Sequence, residues 1–199
     1  MTEADLFQQA RIYLPKYLSP EKQRDLWEEL KSFPNNRSYY STEAILAEQL
    51  LQGDGWRGFV VIDFHTLEKK VVSGVVMSNS CDIGAENPRA LAPNVLFAPL
   101  IRLDAYCRLL RGAGQTETQI QSVCESIRKQ RFTTIFYLPS HGDVLQESIV
   151  VLYDIHGHPL LDFTATDRSY LFRLNQFAFY LFLMKISIHF TRMQEGVAR

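Results

Sequence analysis

The sequence predicts an α+β protein: a small β-barrel or strongly bent sheet with N-terminal helices, a helical insertion and a long C-terminal helix. Three patterns support this fold class: helical spacing of apolar residues early in the chain, short β-branched apolar runs after it, and a long apolar segment near the end. The chain has 199 residues, the usual size of one domain. We expect a single domain, 1–199, made of a helical extension (1–52), a barrel (53–163) with its insertion (103–130), and a helix (167–195).

The composition excludes several classes of protein. Hydrophobic residues make up 46% of the chain and charged residues 22%, so it is neither disordered nor fibrous. The formal net charge of -1 excludes a wholly basic surface for nucleic acids, but not a local basic groove. The three cysteines, Cys81, Cys107 and Cys124, have no C-x-x-C spacing, so we expect reduced thiols, no metal site and no cofactor. The acidic start lacks the apolar core of a secretory signal, and we expect a cytoplasmic protein.

Two helices are predicted in the N-terminal extension. The first begins at Ser19-Pro20-Glu21, because Ser caps a helix, Pro suits its first turn and Glu favours its positive end. Its apolar face repeats at spacings of four and three, at Leu26, Leu30 and Phe33. The second helix is predicted from Ser41 to Leu50 and is stopped by the glycines of Gly53-Asp54-Gly55.

Short apolar runs then predict the strands of one mixed, mainly antiparallel barrel. The predicted strands are 57–64, 71–78, 95–101, 132–138 and 147–153. The insertion between the third and fourth is helical, since Thr116 and Gln119 fit a capping box and Gly112-Ala113-Gly114 divides it into two helices.

The C-terminal segment is predicted to be one helix that opens at Asp167 and runs to about Glu195. It is long enough to cross a bilayer, but charges such as Arg173 and Lys185 are costly in hydrocarbon, so we expect no membrane span. Aromatic residues surround this helix, and an all-round apolar helix must be covered on every side. We therefore predict a homodimer through this helix, with Phe179 and Leu183 as its probes.

Three blocks in the strand region resemble the PemK/MazF toxin family. Residues 75–79 (VVMSN) and 94–100 (NVLFAPL) look like its second and third strands, and the stretch from 137–139 (YLP) to 147–155 (ESIVVLYDI) is similar to a later block. The resemblance covers residues 53–160 and implies an SH3-like barrel and a dimer. Residues 78–83 (SNSCDI) also resemble an S-x-[ST]-C-D-[IL] signature of uncharacterised bacterial proteins.

The same resemblance implies cleavage of single-stranded RNA by an arginine before the second strand and a threonine closing the third. Ser73 and Ile101 stand at these positions. Neither side chain can stabilise the charge that develops on a phosphate. We therefore expect the catalytic pair to be absent.

Two groups of residues are candidate sites. Cys81, with Asp82 beside it, is a candidate nucleophile if a histidine activates it, whereas the alternative is that Cys81 fills an apolar gap and Asp82 caps a turn. Arg102 is the other catalytic candidate. The candidate nucleic-acid contacts are Lys69, Lys70, Arg102, Arg128, Lys129, Arg131 and His156. The alternatives are a solvated helix end for the basic cluster and a solvated turn for His156. His156-Gly157-His158 and His141 are too few ligands to predict a metal site.

The leading hypothesis is a non-catalytic binding or regulatory module of a toxin–antitoxin or defence system, with an antitoxin or other protein as partner. The alternative is a divergent endoribonuclease that uses Arg102, Lys70 or the basic cluster on RNA. A weaker alternative is a thiol enzyme built on Cys81.

Overall fold

The structure, a computed structural model, describes residues 18–35, 38–42, 49–84, 86–87, 89–165 and 167–191. Its helices are α1 (Pro20–Ser32), α2 (Ser80–Ile83), α3 (Leu103–Gly112), α4 (Glu117–Arg128), α5 (Leu160–Ala165) and α6 (Gln176–Thr191). Its strands are β1 (Gly55–Ile62), β2 (Lys69–Val76), β3 (Asn94–Arg102), β4 (Ile135–Leu138), β5 (Ser148–Val151), β6 (His156–Pro159) and β7 (Ser169–Phe172). The α+β class is confirmed.

Helix α1 confirms the first N-terminal prediction. The Ser19 hydroxyl accepts a hydrogen bond from the backbone N–H of Lys22 (3.3 Å), as a helix cap does. Leu26 is buried at 1% exposure, and α1 packs through this face on the main core. The second predicted helix is not tested over 43–48, which lie outside the described residues, and its predicted ends, Ser41 and Leu50, are not helical.

The strands form one sheet in the order β4-β5-β3-β2-β1-β7, with β6 added on β3. Every pair is antiparallel. Strand β3 is shared between two halves of this sheet, because residues 94–97 pair with β6, 97–99 with β2 and 100–102 with β5. Among the described residues the end strands β4 and β7 do not pair with each other, so the sheet is open and not the closed barrel that the pattern predicts.

Side chains explain why the sheet stops at β4. The buried side chain of Gln130 bonds both backbone polar groups of Tyr137. It accepts a hydrogen bond from the Tyr137 N–H (3.1 Å) and donates one to the Tyr137 carbonyl (2.8 Å). The Lys185 ammonium donates to the carbonyls of Phe132 (2.8 Å) and Ile135. Backbone groups at a sheet edge that already have hydrogen-bond partners are not available to pair with another strand.

The predicted helical insertion is confirmed as the α3–α4 hairpin. Thr116 and Gln119 form the predicted capping box at the start of α4. The hairpin covers β4 and β5 with a cluster of buried side chains: Leu103, Ile120, Cys124, Ile127, Ile135, Tyr137, Ile149 and Val151.

The prediction of one helix from Asp167 is wrong. Ser169–Phe172 forms β7, which pairs with β1, and α6 begins only at Gln176. The side chain of Asn175 caps α6 by accepting from the Ala178 N–H (2.9 Å). A strand forms here because the edge of β1 is available to it, which a local pattern cannot indicate. The predicted end at Glu195 lies outside the described residues.

Helix α6 packs over the main core. Its Phe177, Ala178 and Phe182 are completely buried, whereas Met184 and Ile188 are 39% and 47% exposed. In the part of the chain that the structure describes, no helix is long and apolar enough to cross a membrane.

A buried ion pair fixes the start of β1 to the end of β7. The Asp54 side chain is 1% exposed, and the Arg173 guanidinium donates to both of its oxygens (2.9 and 2.7 Å). Burial raises the pKa of Asp54, and the hydrogen bonds from Arg173 oppose that rise.

Candidate functional site

A cleft of about 910 Å³ opens beside helix α2. Its walls are residues 49–51 before β1, helix α2, the segment 89–93 before β3, and helix α5 with Arg168. The apolar lining residues are Leu50, Leu51, Ile83, Leu91, Ala92, Pro93, Leu160 and Leu161. The cleft therefore joins four segments that are distant in the sequence.

The string SNSCDI, noted in the sequence, builds one wall of this cleft. The Ser78 hydroxyl accepts from the Leu96 N–H (2.8 Å), and the Ser80 hydroxyl accepts from the Gln52 N–H (2.9 Å). The Asn79 side chain caps α2 by accepting from the Cys81 N–H (2.9 Å). These polar residues hold α2 in place against β3 and the start of β1.

Cys81 lies on the cleft wall, where it is exposed. The expectation that it fills an apolar gap is therefore wrong, and Asn79 rather than Asp82 caps the local turn. The Cys81 carbonyl accepts hydrogen bonds from Asn87 (2.6 Å) and Arg89 (2.5 Å). None of the described residues that line the cleft is a histidine, so the cleft brings to Cys81 none of the bases that activate a thiol most often.

Arg168 gives the cleft a cation that no acid of the described residues neutralises. Its guanidinium lies over the rings of Trp56 (5.0 Å) and Phe163 (5.5 Å), and no carboxylate of the described residues is within ion-pair distance. Gly58, in a bulge of β1 at φ +114°, lets the Arg168 backbone approach, because a side-chain carbon there would lie 3.1 Å from the Arg168 Cα. Glu86 is the one acid among the described residues that line the cleft.

Two exposed leucines stand at the cleft. Leu91 is 83% exposed and Leu161 is 68% exposed, and both belong to its lining. Arg168, Leu91 and Leu161 are not recognisable as site residues in the sequence, because they are far apart in the chain and no motif connects them.

The predicted basic cluster is largely neutralised by acids. Arg102 donates to both Asp104 oxygens (2.9 and 2.5 Å), and hydrogen bonds from Arg102 and Arg108 lower the pKa of Asp104 to about 2. Arg128 donates to both oxygens of Glu147 (2.9 Å each), and these bonds lower the pKa of Glu147. Arg128 lies in the last turn of α4 with its side chain 48% exposed, so it is at a solvated helix end, as the alternative has it, and is also ion-paired.

The other cations among the predicted nucleic-acid contacts are Lys69, Lys70, Lys129 and Arg131. Lys129 pairs with Glu125 at 2.6 Å, as ordinary neighbours on one helix do. Lys69 and Lys70 are exposed at the start of β2, Arg131 follows α4, and none of these three has an ion pair within the described residues. The candidates thus lie on several elements, and none of them lines the cleft.

The candidate histidines lie in separate places. His156 begins strand β6, forms a hydrogen bond with Asp154 (2.9 Å) and stacks on Phe97. The alternative that placed His156 in a solvated turn is therefore wrong. His158 is buried, and His141 packs on Tyr40. Among the residues that the structure describes, no three His, Cys, Asp or Glu side chains are grouped to hold a metal ion.

The positions that the toxin resemblance makes catalytic are also apart from the cleft. Ser73 pairs with Arg57 across β1 and β2. Ile101 pairs with Ile149 and packs under the helical insertion. A scan against protein-family models and a search of curated proteins each found no match to the chain.

Proposed function

We propose that this protein is a non-catalytic binding module whose cleft takes a short segment of a partner protein. The segment carries apolar side chains and an acidic one. The cleft beside α2 carries this proposal, because its volume of about 910 Å³ and its mainly apolar lining are those of a ligand site. The guanidinium of Arg168, which has no ion pair within the described part of the chain, supplies a partner for a carboxylate.

The exposure of Leu91 and Leu161 supports a protein partner. Large apolar side chains that line a concave surface and remain in water mark interaction sites. A leucine or isoleucine of the partner would cover them, and an acidic side chain next to it would reach Arg168. Arg168 is held over two aromatic rings, so little side-chain entropy is lost when it pairs.

The absence of a catalytic set at the candidate positions supports a binding role. The RNA-cleaving pair of the toxin family is replaced by Ser73 and Ile101, and Arg102 and Arg128 already hold carboxylates. An endoribonuclease built on these cations would have to break those pairs first. The exposed Cys81 has no histidine beside it in the cleft lining, which also disfavours the thiol enzyme.

The resemblance to PemK/MazF toxins sets the context of the proposal. The antiparallel pairing of β3 with β2, β5 and β6 is the part of the structure that supports this context, and the sheet is open rather than a closed SH3-like barrel. The partner is then an antitoxin or another regulatory protein of a toxin–antitoxin or defence system. As a second contact, we propose a homodimer through α6, supported by the exposed apolar side chains of Met184, Ile188 and Phe190.

A displayed library of short random peptides, selected on the full chain, tests the cleft. We expect enriched peptides to pair an acidic residue with leucine or isoleucine. Fluorescence anisotropy should show at least about tenfold weaker binding to Arg168→Glu, since losing a close charge pair costs about 2–5 kcal/mol. Binding to Leu161→Asp should also weaken, because this change places a carboxylate against the apolar side chain of the peptide.

Lys69→Glu is the matched control, because it makes the same charge change on an exposed cation outside the cleft. Binding that is equal in all variants, or lost equally in Lys69→Glu, would refute the cleft as the site. Failure to enrich any peptide would refute the proposed partner class.

A further inference from the structure

Cys107 and Cys124 lie side by side in the helical insertion, away from the cleft. Cys107 is on α3 and Cys124 is on α4, 17 positions later, and their sulfur atoms are 2.6 Å apart. A disulfide bond joins sulfurs about 2.05 Å apart. The two free thiols are therefore placed for a bond with little movement of the backbone.

The hairpin that holds the two sulfurs is well supported. The Thr116–Gln119 capping box fixes the start of α4, and Arg111 at the end of α3 donates to Glu117 (2.5 Å). Below the sulfurs, α4 packs on the sheet through Ile120 and Ile127, which are 3% and 1% exposed. The sulfur contact thus belongs to a packed element rather than to a loop.

The two thiols differ in their access to solvent. Cys124 is 5% exposed, and burial together with its contact to Cys107 raises the pKa of its thiol. Cys107 is half-buried at the edge of the same cluster. An oxidant in solution therefore reaches Cys107 first, and the less accessible Cys124 is the thiol that reacts with the oxidised Cys107.

We propose that Cys107 and Cys124 form an oxidisable dithiol, which a small peroxide converts into an intramolecular disulfide. With hydrogen peroxide, one oxygen passes to the Cys107 sulfur, giving a sulfenic acid and one water. The Cys124 sulfur then displaces the hydroxyl group, which leaves with the Cys124 proton as a second water while the sulfur–sulfur bond forms. Both sulfurs are oxidised, and the peroxide is reduced to two waters.

The bond ties α3 to α4 over the β4–β5 half of the sheet. A closed ring of this size restricts the unfolded chain, so the oxidised protein is the more stable form. For a chain of 199 residues we expect Tm to rise by about 6–12 °C on oxidation and to return on reduction. Cys81, exposed in the cleft, stays outside this exchange.

Peptide mapping of the full chain after treatment with hydrogen peroxide tests the proposal. Trypsin should release Leu103–Arg108 joined to Gly112–Arg128, a product that disappears on reduction. The intact mass should fall by the two hydrogens lost, about 2 Da, while Cys81 remains open to alkylation.

Two cysteine variants complete the test. Cys81→Ser should form the same cross-linked peptide at the same rate, whereas Cys107→Ser should form none and should show no rise in Tm. The proposal is overturned if peroxide leaves both thiols free, drives Cys107 to a sulfinic acid without a cross-link, or yields only bonds that involve Cys81. Mapping of the unchanged protein decides the matter even where a variant fails to fold.

Discussion

Replacing Arg173 with methionine should destabilise the protein strongly, because it leaves a buried carboxylate without its cation. Asp54 is 1% exposed and holds the Arg173 guanidinium by two hydrogen bonds. Breaking a buried pair from one side costs about 3–5 kcal/mol. For a chain of 199 residues this corresponds to a fall in Tm of about 6–20 °C.

The loss should depend on pH with a defined sign. Burial already raises the pKa of Asp54, and removing Arg173 removes the contact that opposes this rise. When folding raises the pKa of a carboxyl, the folded protein favours the neutral acid. The free energy of unfolding then falls as the pH rises from the unfolded pKa through the folded one. Arg173→Met should therefore lie closer to the unchanged protein at pH 5 than at pH 8, as measured by urea unfolding.

The double variant Asp54→Asn with Arg173→Met is the control. It removes both charges, so it should recover much of the stability that Arg173→Met loses and should lose the added pH dependence. If Arg173→Met unfolds like the unchanged protein, or if the single and double variants are equally unstable at both pH values, the Asp54–Arg173 pair does not stabilise the fold in this way.

The remaining predictions concern α6 and RNA. Burial lowers the pKa of Lys185 to about 7 in the folded protein. Above pH 7 the unfolded chain therefore binds more protons at this amine than the folded protein does. As a result, the free energy of unfolding should rise by about 2 kcal/mol from pH 7 to pH 9. Urea titrations should show this rise and its loss in Lys185→Met; an equal rise in both would contradict it. Met184→Asp with Ile188→Asp should abolish the proposed dimer in light scattering, and a monodisperse monomer of the unchanged chain would end that proposal. Labelled single-stranded RNA should not be cut efficiently; cleavage that Arg102→Ala or Lys70→Ala abolishes would restore the endoribonuclease.

Several elements were readable in the sequence because they depend on neighbours in the chain. The Ser19 cap with the Leu26 face, and the capping box at Thr116, are local patterns of hydrogen bonding and burial. The five predicted strands all exist, with ends shifted by up to three residues, since β-branched runs indicate a strand but not where its pairing stops.

The tertiary structure alone decided what lies between distant segments. Ser169–Phe172 became a strand rather than helix because β1 offered an edge. The free edge of β4 is bonded by two side chains from elsewhere in the chain, Gln130 at Tyr137 and Lys185 at Ile135. The cleft forms only where residues 49–51, α2, α5 and Arg168 come together, and the periodicity of the sequence carries no information on contacts between such distant segments. Sequence therefore determined the short-range elements, whereas the site depended on long-range contacts that are favourable only once the whole chain has packed.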